Sequence, residues 1–85
     1  MVIDFTPQFS YQNTVYDNDL ENEIIRVQIT TMDGDELETI EHDLSNYVPP
    51  ESEEMAEDPP PSFPIAGYPK RIDGVLHVTL IKWYR

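Results

Sequence analysis

The chain contains no cysteine, which removes disulfides, thiolate metal sites and a cysteine nucleophile at once. Its three glycines, Gly34, Gly67 and Gly74, are too few and too scattered to cradle a phosphate. Only two histidines are present, His42 and His77, so there is little material for general base chemistry. No apolar run approaches the roughly 20 residues that a membrane helix needs. The opening Met1-Val2-Ile3-Asp4-Phe5 has neither a basic flank nor a long apolar stretch, which argues against a signal peptide. A soluble chain, cytoplasmic or part of a virion and not transmembrane, is expected.

Basic residues are scarce as well. Seventeen acids face five bases, for a net charge of −12. Residues 1–69 carry every acid except Asp73, and one base, Arg26; Lys70, Arg71, Lys82 and Arg85 follow. This negative body with a basic C-terminal strip repels nucleic acid and favours a basic partner. Eighty-five residues support a single small domain. A lone core of this size contributes only roughly 3–5 kcal/mol, so small folds commonly lean on a disulfide, a metal or a partner.

The local patterns are mostly of period two. After an N-terminal arm, residues 1–8, strands and a hairpin occupy residues 9–47. Phe9-Ser10-Tyr11-Gln12-Asn13-Thr14-Val15-Tyr16 alternates, with Phe9, Tyr11 and Val15 on one face. Pro7 suits the entrance to that strand. Glu23–Met32 is dense in β-branched residues and places Ile25, Val27 and Ile29 toward a core. Asp33-Gly34 is a hairpin signal, and a two-residue turn there sets Val27 opposite Ile40 and Arg26 opposite Glu41. Leu37, Ile40, Leu44 and Tyr47 also recur at helical spacing, so residues 35–46 have a short amphipathic helix as the alternative.

Residues 48–69 hold seven of the eight prolines and a run of acids. They read as a long, extended, polyproline-like loop. Residues 70–85 end the chain. Val75–Tyr84 is apolar on both faces, the mark of a central strand, and Asp73-Gly74 turns it back on a short edge arm. The expected fold is mainly β: one small antiparallel sheet of three to five strands with an acidic proline-rich loop.

No constellation supports catalysis. Glu41-His42-Asp43 resembles an oriented imidazole, but neighbours on a strand point to opposite faces, so an exposed polar histidine is expected. His77 reads as a partly buried packing residue. Asp17-Asn18-Asp19 opens like a calcium loop, yet Asn22 and Gln28 stand where glycine and glutamate are required. No metal or cofactor is expected, and the chain reads as no enzyme.

The expected role is a structural or adaptor subunit that binds other protein subunits, homo- or hetero-oligomeric, without membrane or direct nucleic-acid contact. Small virion components such as capsid cement or tail-connector proteins share this style. The partner-binding candidates are Phe5, Phe9, Tyr11 and Tyr16, then Phe63, Ile65 and Tyr68, with Lys70, Arg71, Trp83 and Arg85 at the end. For Phe63, Ile65 and Tyr68 the alternative is packing back over the chain's own sheet. A competing reading is an acidic nucleic-acid mimic that inhibits a DNA- or RNA-binding enzyme.

Overall fold

Two sheets of three strands each are built, where the sequence suggests one. The computed structural model describes residues 1–84; Arg85, one of the expected partner-binding residues, lies outside them. The strands are β1 (Val2–Phe9), β2 (Asn13–Tyr16), β3 (Ile24–Thr30), β4 (Glu36–Asp43), β5 (Lys70–Ile72) and β6 (Val75–Tyr84). One sheet has the order β1-β6-β5 and the other β2-β3-β4. Among the described residues no helix is long and apolar enough to cross a membrane.

The β3–β4 hairpin follows its sequence closely. Val27 faces Ile40 and Arg26 faces Glu41 across an antiparallel ladder. The helical alternative for residues 35–46 is overturned, because β3 offers Glu36–Asp43 a complete ladder to join. The turn differs from the two-residue form. Gly34 N–H donates to Thr31 C=O at 3.0 Å and Thr31 N–H to Asp35 C=O at 2.9 Å, leaving Met32, Asp33 and Gly34 as a three-residue loop. Gly34 takes the left-handed φ of 92° such loops use, and Leu37 becomes the extra, bulged residue before the register recovers. The second hairpin is the two-residue kind. Ile72 pairs with Val75, and Asp73 and Gly74 both adopt positive φ, as a primed turn requires.

The N-terminal arm is a correction. Residues 2–9 form β1, which runs parallel to β6 from Val2 opposite His77 to Phe9 opposite Tyr84. Ser10 N–H donates to Tyr84 C=O, so the even residues of β1 aim their N–H groups at β6 and Pro7 points to the free edge. Proline costs no ladder bond there. The strand expected across residues 9–16 is broken at Ser10–Gln12, where Gln12 N–H bonds the Ser10 hydroxyl at 3.1 Å. The alternation is thereby reset. Thr14 and Tyr16 lie opposite Ile29 and Val27 and face inward, while Val15 is exposed, the reverse of the expected face.

The sheets meet over a small core of Ile25, Leu44, Ile65, Leu76, Val78 and Leu80. The assembly measures 42 × 27 × 18 Å, and its short axis leaves room for two stacked sheets and no third layer. Val27 and Ile29 are buried along β3. The even residues Leu76, Val78 and Leu80 of β6 are fully covered, whereas its odd face is only half-buried.

The proline segment divides. Val48–Pro60 wanders outside the sheets with one turn of 3-10 helix at Glu53–Met55. Past it the chain returns to β6: Ile81 N–H donates to Pro64 C=O and Ala66 N–H to Thr79 C=O, both at 2.9 Å. Residues 64–66 thus continue the edge that β5 occupies further along, with Ile65 opposite Leu80. A single extended loop over residues 48–69 is therefore not what forms. Pro64 and Pro69 are buried, and their missing N–H groups leave the edge pairing intact because neighbouring groups carry it.

Candidate functional site

Residues directly opposite across a ladder share a face, so the inner face of β1 and β6 can be followed along its length. Ile3 lies beside Val78, Phe5 beside Leu80, Pro7 beside Lys82 and Phe9 beside Tyr84. The first of these are roofed by the second sheet. Toward Tyr84 the side chains of the same face become exposed, although β2 still meets β6 where Trp83 N–H donates to the Thr14 hydroxyl at 3.2 Å. Phe5 is 49% exposed, Phe9 55%, Tyr84 53% and Tyr11 73%.

These rings form two groups, Phe9 with Tyr11 and Tyr84, and Phe5 with Tyr16, with the Pro7–Lys82 row between them. Phe9 meets Tyr11 edge-on at 5.2 Å between centroids and Tyr84 edge-on at 6.2 Å. Phe5 packs at 5.4 Å on Tyr16, and the Lys82 ammonium stands 5.6 Å above the Phe5 ring. Edge-to-face pairing restricts the Phe9, Tyr11 and Tyr84 rings against one another. Tyr16 is the hinge between patch and interior. Its hydroxyl donates to Ile81 C=O, and burial pushes its pKa up to about 12.

The other aromatic candidates are engaged within the chain. Phe63 stacks on Trp83 at 4.8 Å, and the Trp83 indole donates to the Gln8 side chain at 2.9 Å. Ile65 is a core residue, so it is not offered to a partner in this fold. Tyr68 is half-buried and donates its hydroxyl to Asp58 C=O at 2.7 Å. Phe63 and Ile65 pack back on β6, while Tyr68 is tied to the proline-rich loop.

The basic candidates are also dispersed. Arg71 forks onto Glu23 at 3.0 and 3.1 Å, tying β5 to the turn before β3. That hydrogen-bonded guanidinium holds the Glu23 carboxyl below its usual range. Lys70 is exposed on β5. Phe5, Phe9, Tyr11 and Tyr16 are expected partner-binding residues from the sequence; Lys82 and Tyr84, which lie beside them here, are not among those expected. Tyr84 was recognisable as the last residue on the Leu76–Leu80 face.

His42 is not the exposed histidine expected. It is half-buried, with Nε2 3.0 Å from Phe63 C=O. Asp19 is held below its usual pKa by hydrogen bonds from Asn22, so this carboxylate closes its own turn. Among the described residues no group of three or more His, Asp or Glu could hold a metal ion. Comparison with family models, curated proteins and solved structures finds no match for this chain. Its site has to be read from its own chemistry.

Proposed function

We propose that this protein is a non-catalytic structural or adaptor subunit of a larger assembly, docking a protein neighbour on the aromatic patch. One observation carries the reading: Phe9 and Tyr84 continue the core face uncovered, and with Tyr11 they form an exposed, mutually packed aromatic cluster. Exposed contiguous apolar surface of this kind marks interaction sites, and aromatic residues dominate the energetic centres of interfaces. The balance of the whole chain agrees. Thirteen large apolar side chains are exposed against eight in the core among the described residues. A virion component, such as a capsid cement or tail-connector protein, is the kind of assembly such a small two-sheet subunit suits.

Sedimentation across a range of protein concentrations, with and without Phe9→Ser/Tyr84→Ser, tests the proposal. The unaltered chain should self-associate or expose a sticky, quencher-accessible patch, and the double substitution should abolish this. Copies carrying −12 repel one another, so association should tighten as salt is raised. A heat-resistant monomer, indifferent to the double substitution, would end the proposal.

A second reading has one observation in its favour. Glu36, Glu38, Glu41 and Asp43 stand on an ordered edge strand, β4, rather than on a floppy tail. Fixed carboxylates of this kind could imitate phosphates toward a basic groove. They also deter sheet edges from pairing, which needs no partner at all. Salt separates the readings, because a mimic loses affinity for its target as salt rises.

A further inference from the structure

The strap Val48–Pro59 and Tyr68 line an open cavity of about 400 Å³. Tyr47 and Tyr68 wall it, Val48, Met55 and Pro59 add apolar surface, and Glu51, Glu57 and Asp58 bring carboxylates, with no base among the lining residues. From this we infer that the cavity receives an arginine side chain of a partner protein.

The walls themselves define the occupant. Val48 is 84% exposed and Met55 76%, so apolar surface stands uncovered at the mouth. An aliphatic stem would cover it, while the carboxylates demand a cationic head. The tyrosines narrow the choice further. Tyr68 is pinned to the strap by its bond to Asp58 C=O, and Tyr47 packs against the core, so both rings have fixed positions. A planar guanidinium stacks on such rings and forks onto a carboxylate, which a compact ammonium does less well. Charge complementarity runs the same way on the larger scale, since residues 1–69 carry sixteen acids and one base. None of the aromatic-patch residues lines this cavity, so the two sites succeed or fail separately.

Three short peptides test it: acetyl-Gly-Arg-Gly-amide and its lysine and citrulline counterparts, titrated into the full chain at physiological salt and followed by NMR. The arginine peptide should give saturable shifts centred on Tyr47, Met55 and Tyr68, with lysine weaker and citrulline, equal in shape but uncharged, weakest. Glu57→Gln, at an exposed position, should weaken the arginine peptide by about twofold to fivefold, the range of one partly screened ion pair. Tyr68→Leu should weaken it further; if that variant does not fold, Glu57→Gln still decides. Equal binding of arginine and citrulline, equal binding of arginine and lysine, or shifts spread evenly over Glu36, Glu38 and Glu41 would each overturn the assignment.

Discussion

The two ends of one sheet face have opposite fates. Leu76, Val78 and Leu80 are buried, and Phe5, Phe9 and Tyr84 on the same side of the same two strands are half-exposed. Nothing in the alternation changes between them. The difference is what packs above each end: the first is covered by the core cluster around Ile25, Leu44 and Ile65, and the second by no core residue. An apolar side chain on this face is buried or exposed according to what lies above it. The sequence pattern alone does not say which.

The sharpest way to break that comparison is to truncate one residue from each end. Leu80→Ala should cost about 2–5 kcal/mol, the range for removing a buried leucine side chain. A domain with roughly 3–5 kcal/mol to spare would then be largely unfolded, which circular dichroism during a urea titration will show. Phe9→Ser should change the unfolding free energy from the same titration by no more than about 0.5 kcal/mol, as surface changes usually do. If Phe9→Ser unfolds the chain as Leu80→Ala does, the exposed end is structural and the comparison collapses.

Association should show the reverse order. Removing Phe9 and Tyr84 together should weaken self-association by at least about 2 kcal/mol, the threshold for an interface hot spot. Sedimentation equilibrium measures it. Substituting Val15, which is 51% exposed on the outer face of the other sheet, should leave association unchanged and serves as the matched control.

What the sequence made legible follows from how local the cause was. The β3–β4 ladder is set by neighbouring residues: Val27 finds Ile40 and Arg26 finds Glu41 through one short turn, and both pairings are visible in the residues. The Ile72–Val75 turn is equally local. The β1–β6 ladder joins residues separated by most of the chain, and no pattern within Val2–Phe9 announces its partner. Reading those residues as an arm therefore hid the second sheet, and with it the position at which Phe5 and Phe9 leave the core. The proline segment misled for another reason. Its composition forbids a central strand, yet Pro64 needs only its carbonyl to join a sheet edge. Phe5, Phe9 and Tyr11 are exposed in this fold, while Ile65 was absorbed by an edge that composition could not show.

A smaller effect lies at the boundary between the two ends. Tyr16→Phe deletes the hydroxyl that donates to Ile81 C=O and should cost about 1 kcal/mol, the usual net value of one hydrogen bond. It should also alter the alkaline limb of stability. The tyrosine pKa is about 12 in the fold against 10.0 ordinarily, so the native state holds its proton longer than the unfolded chain. The stabilisation is complete below the ordinary value and is lost as pH rises through the folded one. Urea midpoints across that alkaline window should fall more steeply for the unaltered protein than for Tyr16→Phe. Parallel curves would detach the hydroxyl from the join between patch and core.

The smallest effect concerns how the sheets are stitched beyond the core. Arg71 on β5 bonds Glu23 before β3, and that hydrogen bond holds the Glu23 carboxyl below its usual pKa. Between the lowered folded value and the ordinary 4.5, the unfolded chain binds the proton and the native chain does not. The pair therefore stabilises fully above the ordinary glutamate range and is lost as pH falls through the folded value. Protonation across the rest of this acidic surface relieves repulsion over the same window, so the absolute acid curve mixes two opposing trends. The difference between the unaltered chain and Arg71→Ala isolates the pair. That difference should be present at neutral pH and vanish in acid. A constant difference would mean that Arg71 acts through the packing of its aliphatic stem rather than through its charge.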